Sequence, residues 1–205
     1  MKSRYVDESD LSAVLAAAKK DAKRQRDYLP LLVSLETGLR VGDVVKIRRQ
    51  DLAADGIRYV AQKTGKEGFA RISARTRRAL VENAGETGGN WVFPSPTRRG
   101  QHITRQAVWK RAKRLARLAD IAAAGFSPHS MRKNFAVETY KRSGLAATQA
   151  ALQHSRADTT ELYALSDFLT GDNADKPLLR RDVDLLFKLL QDFIISEIRN
   201  KEAPG

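Results

Sequence analysis

Gly56-Ile57-Arg58-Tyr59-Val60-Ala61, followed by Thr64-Gly65-Lys66 and then Gly68-Phe69-Ala70-Arg71-Ile72, alternates apolar and polar residues on either side of a glycine turn. That pattern predicts an antiparallel hairpin. Outward from it, in both directions, the spacing becomes helical. Upstream, Leu11, Val14, Leu15 and Ala18 recur at helical intervals and predict a helix over residues 7–19. A second helix is expected over residues 26–36, closed by Gly38, with a short one over residues 44–48. Downstream, residues 75–84 read as helix and the Gly- and Pro-rich residues 85–100 as loop. Residues 104–123 then form a long basic helix. Ser127-Pro128 supplies an N-cap and a first-turn proline for the next helix. Gly144 begins another, ending near His154, and Asp158-Thr159-Thr160-Glu161 has the form of a capping box ahead of a helix carrying Tyr163. Residues 182–200 make a final helix. The expected fold is mainly α with one small antiparallel β-sheet, an α+β class.

A length of 205 residues suits one domain, or one domain with an appendage, and 42% hydrophobic residues support a core of ordinary size. The absence of cysteine excludes disulfides, thiolate metal sites and a cysteine nucleophile. Met1-Lys2-Ser3-Arg4-Tyr5 leads into acidic residues rather than an apolar stretch, so no signal peptide is expected, and no apolar run is long enough to span a membrane. Charge is the first functional clue. Lys and Arg total 37 against 24 Asp and Glu, a surplus of +13 that attracts polyanions. Between Arg98 and Arg117 the basic residues are Arg98, Arg99, Arg105, Lys110, Arg111, Lys113, Arg114 and Arg117, with no acid among them. A run this dense favours a phosphate backbone, and Arg105, Lys110, Arg111, Lys113, Arg114 and Arg117 are the DNA-binding candidates. A membrane-surface helix would need a large apolar face, where this one is mostly alanine.

Five segments carry chemistry. Thr37-Gly38-Leu39-Arg40-Val41-Gly42-Asp43 sets an arginine between glycines, and Gln62-Lys63-Thr64-Gly65-Lys66 lies on the hairpin. Pro128-His129-Ser130-Met131-Arg132 puts His and Arg at i, i+3, on one helix face. Leu152-Gln153-His154-Ser155 closes a helix, and Tyr163 follows. Each is ordinary alone: a solvated arginine, a solvated turn lysine, a local polar cluster, a tyrosine at a core edge. A metal site is disfavoured, because His102, His129 and His154 have no metal-binding spacing.

In this order, however, the segments resemble the tyrosine recombinase or phage integrase family. Its pattern is an Arg in T-G-x-R, a hairpin Lys, an H-x-x-R helix, a second His or Trp, and a Tyr. Arg40, Lys63, His129, Arg132, His154 and Tyr163 match it, from about Val6 to Leu165. Asp43 stands where the family often has Glu, and Gln153 where it commonly has Gly. Most integrases also carry a core-binding domain that completes a clamp around DNA, and these 205 residues hold no match for one.

The resemblance implies a site-specific recombinase of phage or mobile-element type, acting on double-stranded DNA without cofactor or metal. Tyr163 would be the nucleophile, Arg40 and Arg132 the phosphate clamp, Lys63 the acid for the leaving oxygen, His129 a proton-transfer partner, His154 a phosphate donor and Asp43 a supporting residue. It further implies a catalytic domain over residues 1–169, a linker over 170–179 and a C-terminal helix over 180–205. That helix carries an apolar arc of Val183, Leu186, Leu189, Leu190, Phe193, Ile194 and Ile198. The arc suits packing on its own domain or, as the family suggests, on a neighbouring subunit of a tetrameric synapse. A cytoplasmic, nucleoid-associated location in a prokaryote or phage-infected cell follows. Type IB topoisomerase-like relaxation and a non-catalytic DNA-binding regulator remain as alternatives.

Overall fold

The computed structural model describes residues 5–62, 65–87, 89–123 and 125–152. Lys63, His154, Tyr163, the linker and the C-terminal helix lie outside the described residues. The chain divides into two compact units, Met1–Phe135 and Ala136–Gly205.

The first unit is built around α2 (Ala22–Thr37), which packs against α1 (Glu8–Ala18), α3 (Val41–Val44), α4 (Ala74–Thr87) and α5 (Arg105–Leu118). From Asp27 to Leu31 every α2 residue is buried, as a helix enclosed by neighbours requires. Asp7 and Asp21 start α1 and α2 by accepting from the amides of Asp10 and Arg24, each at 2.8 Å. Gly38 ends α2 at φ 68°, its N–H bonded to Ser34 O at 2.9 Å.

The hairpin forms as its alternation predicts. Strand β1 (Gly56–Val60) pairs antiparallel with β2 (Glu67–Arg71), Ile57 opposite Ala70 and Tyr59 opposite Gly68. Ile57 and Ala70 face the core, whereas Arg58 and Phe69 face outward. A Cβ at Gly56 would sit 2.5 Å from Ala70 O, so this position needs glycine for the close approach of the two backbones.

Several boundaries differ from expectation. The short helix occupies Val41–Val44 rather than residues 44–48. It begins directly after Arg40, which is extended at ψ 141°, and it tightens into i→i+3 bonds from Lys46 to Asp43 and from Ile47 to Val44. Arg48 then bridges to Trp91 instead of continuing a helix. Helix α5 stops at Leu118, five residues short. Asp120 takes a left-handed φ of 55°, and the Ile121 N–H reaches back to Ala116 O at 3.1 Å while Asp120 N–H reaches Arg117 O at 3.2 Å. That is a Schellman closure with aspartate where glycine is usual. Helices α2 and α4 each run beyond the stretch their periodicity marked.

Helix α6 (Pro128–Ala151) starts as expected but is capped in the reverse sense: Ser130 Oγ accepts from Ser127 N–H at 3.2 Å, and no partner for Ser127 Oγ appears among the described residues. Gly144, at φ 74° and ψ −177°, breaks α6 into two helices, in keeping with a new helix beginning there. In the second unit, Thr148 Oγ1 donates to Gly144 O at 2.9 Å and Lys141 pairs with Glu138 at 2.8 Å. Among the described residues no helix is long and apolar enough to cross a membrane.

Candidate nucleic-acid and phosphate site

The first unit brings together four of the residues singled out by sequence. Arg40 follows the left-handed Gly38 and stands at the N-cap of α3, half-buried. Arg132 lies one turn into α6, 5% exposed, and its Nη1 donates to the carbonyl of Gly38. A guanidinium this deep needs acceptors for its donors, and the T-G-L-R turn supplies one. The same bond locks the start of α6 onto the segment that carries Arg40. His129, although three residues from Arg132, is exposed and lines a groove with Arg40. The H-x-x-R motif therefore sends one side chain to the open groove and buries the other.

Asp43 is 6% exposed, and its Oδ1 accepts the backbone N–H of Gln62 at 2.9 Å. This bond ties Gln62, two residues past β1 and next to Lys63 in sequence, to the Arg40 segment. Gly42 makes the juncture close: a Cβ there would stand 3.2 Å from Gln62 Oε1 and 3.3 Å from Arg105 Cδ. The Tyr59 phenol reports the local field. Its pKa is pushed up first by burial and then by Asp43, while Arg132 and Arg40 pull it down. Charges from two separate segments, Arg40 and Asp43 on one and Arg132 on the other, thus converge on one tyrosine.

The basic helix is divided in its duties. Thr104 caps α5 by accepting from Ala107 N–H at 3.1 Å. Arg105, Lys110 and Arg117 are exposed. Arg111 and Arg114 both pair with Asp27 of α2, which is 4% exposed; the Arg111 contact is 3.2 Å. Lys113 turns inward, donates to Ala123 O and lies 5.1 Å from the Trp109 ring centroid. Burial lowers the pKa of both Lys113 and Arg111.

Residues that the sequence reading passed over also line the groove: Gln62, Gln106 and Trp109. Trp109 had a usable signal. It follows Arg105 by four residues, so a large apolar side chain falls on the polar face of a basic helix.

Comparison with known proteins follows the same lines. The model of the Phage integrase family matches residues 4–169. "Tyrosine recombinase XerD" of Yersinia pestis is 32% identical over 166 residues, covering 76% of this chain and 55% of the relative. The protein of the same name from Vibrio cholerae serotype O1 is 31% identical over 169 residues, with the same coverage of 76% and 55%. The chain therefore spans about half the length of these relatives. Among solved structures, the XerH site-specific recombinase bound to palindromic difH substrate, in its post-cleavage complex, aligns with a TM-score of 0.68 at 20% identity, over 82% of this chain and 51% of that one. The lambda integrase catalytic core aligns with a TM-score of 0.58 at 20% identity, over 77% of this chain and 94% of that one. At these identities the structures show the fold.

Proposed function

The chain belongs to the phage integrase family of tyrosine recombinases, and on that premise we propose that it is the catalytic part of a site-specific recombinase that breaks and rejoins double-stranded DNA. The observation that carries this reading is the tie between Arg132 and the Gly38 carbonyl, two residues before Arg40, beside a groove lined by Arg40 and His129.

The chemistry exchanges one phosphodiester for another. The Tyr163 phenolic oxygen attacks the scissile phosphorus, forming a 3′-phosphotyrosyl bond and breaking the bond to the 5′-oxygen. The leaving oxygen takes its proton from Lys63, and the phenolic proton passes toward His129. Charge that develops on the non-bridging oxygens is met by the permanently charged guanidiniums of Arg40 and Arg132, with His154 as a further donor. Reversal by another strand's 5′-hydroxyl rejoins the DNA. Bond count is conserved, so the exchange needs no nucleotide hydrolysis. Asp43 acts through position: its bond to Gln62 N–H steadies the hairpin end that leads to Lys63. On the same reading the protein works in the cytoplasm on nucleoid or phage DNA. It assembles as a tetrameric synapse in which the C-terminal helix, residues 180–205, docks on a neighbouring subunit.

The test uses a nicked suicide duplex carrying the recombination site and, in parallel, supercoiled plasmid, both in EDTA. A site-restricted covalent adduct that persists in EDTA is expected. General relaxation of plasmid would indicate topoisomerase-like action. Binding without any adduct would indicate a regulator, and cleavage restored only by added divalent metal would overturn the mechanism.

A further inference from the structure

We propose that Trp109 is a positioning residue for duplex DNA, its indole lying against the sugar and base edges beside the phosphate gripped on the Arg40 side of the groove. The proposal rests on the recombinase reading and adds to it an apolar contact on a surface otherwise recognised by charge.

The geometry is specific. Trp109 lies on α5, is 49% exposed and lines the groove with Arg40, Arg105 and His129. An indole on the polar face of a basic helix gains nothing from the core. Its surroundings nonetheless hold it in place: Lys113 Nζ sits 5.1 Å from the ring centroid, and Lys113 is itself anchored on Ala123 O. A cation on a ring face is favourable, and a buried, hydrogen-bonded cation does not wander. The indole is thus held by a contact that leaves much of its surface exposed, toward a groove whose charged lining suits a polyanion. Phosphate contacts set register, whereas apolar surface contacts sugars and base edges, including the thymine methyl. Tryptophan, with a large apolar body and few rotatable bonds, suits that role. An acidic protein partner would meet the same cations, but it would not require the indole to stand beside the phosphate-clamping arginine.

The test exploits the fact that the chain has two tryptophans. Trp91 is stacked by Arg48 at 4.9 Å and edged by His102 at 5.0 Å, so Trp91→Phe retains an aromatic ring there and leaves Trp109 as the sole indole emitter. Titrating this variant of the 205-residue chain with a short duplex of arbitrary sequence should quench and shift its emission, whereas inorganic phosphate should not. In the otherwise native chain, Trp109→Ala should bind the duplex about tenfold more weakly at every salt concentration, as expected for lost apolar burial. The slope of log affinity against log salt should stay unchanged, because no phosphate contact is lost; Lys110→Gln should instead flatten it by about 0.9. Trp109→Phe should recover most of the affinity. Unchanged emission at saturating duplex, native affinity in Trp109→Ala, or the same quench with phosphate alone would each overturn the proposal while leaving the recombinase reading in place. If the native chain failed to bind duplex at all, both would fall.

Discussion

Arg132 donates to the carbonyl of Gly38 across 94 residues of sequence, joining the first turn of α6 to the left-handed turn that presents Arg40. The guanidinium therefore has a structural task, to which the proposed mechanism adds a chemical one. Arg132→Lys keeps the charge but loses the planar fork that can serve both. Adduct formation on a nicked substrate should fall by roughly 100- to 1,000-fold, matching about 3–4 kcal/mol of barrier. The circular dichroism spectrum should be unchanged. Near-native single-turnover cleavage in this variant would remove Arg132 from the clamp.

The cations of α5 should separate into two classes. Asp27 is buried under Arg111 and Arg114, so Asp27→Asn should lower unfolding stability by about 2–4 kcal/mol, a range reduced for the partial exposure of both arginines. Arg111→Gln should likewise act mainly on stability, read from urea denaturation. Lys110→Gln and Arg117→Gln, at exposed positions, should leave stability within about 0.5 kcal/mol and instead reduce the salt dependence of DNA binding. Equal salt-slope effects from Arg111 and Lys110 would refute this division.

Tyr163 and Tyr59 are expected to behave differently. Tyr163→Phe should abolish the covalent adduct while preserving DNA binding. Tyr59→Phe should keep the adduct: although Tyr59 sits in the field of Arg40, Arg132 and Asp43, burial raises its pKa and disfavours the phenolate a nucleophile needs. Mapping the radiolabelled phosphotyrosyl peptide distinguishes them, and a Tyr59 adduct would reassign the nucleophile.

Alkaline stability should depend on Tyr28. Its hydroxyl is pushed from 10 up to about 12, first by burial and then by Glu36, with Arg75 opposing. Because the folded pKa exceeds the unfolded one, the neutral phenol's contribution is complete below pH 10 and is lost as pH rises from 10 to about 12. Denaturation midpoints should drop over that window by an amount equivalent to about 2–3 kcal/mol. Tyr28→Phe should flatten the drop. A native-like drop in the variant would trace the effect to other groups.

Gly56→Ala should damage the hairpin. The new Cβ would lie 2.5 Å from Ala70 O, a backbone atom held in the β1–β2 ladder, so relief requires separating the strands. A loss of about 1–3 kcal/mol is expected in thermal unfolding, as for overpacked sites. Gly65→Ala, where nothing lies within 4 Å, should cost less, its penalty coming from φ 67° alone.

Local chemistry made much of this molecule legible from its residues. The alternation around Thr64-Gly65-Lys66 specified the hairpin and its faces, since a strand's period of two admits one buried side. Gly38 and Gly144 marked a helix end and a helix break because both require φ values that side chains resist. The order of Arg40, Lys63, His129, Arg132, His154 and Tyr163 pointed to the family, because each motif is short and carries its own signature. Tertiary structure alone decided which α5 cations are engaged within the fold: Asp27, on another helix, pairs with Arg111 and Arg114, and no pattern within α5 encodes that pairing. The early stop of α5 depended on Asp120 adopting a left-handed conformation that aspartate tolerates but does not announce. The burial of Arg132, while His129 stays exposed, likewise needed the Gly38 carbonyl. Periodicity along one helix can say that two residues share a face, but only the approach of a distant segment decides which of them is enclosed.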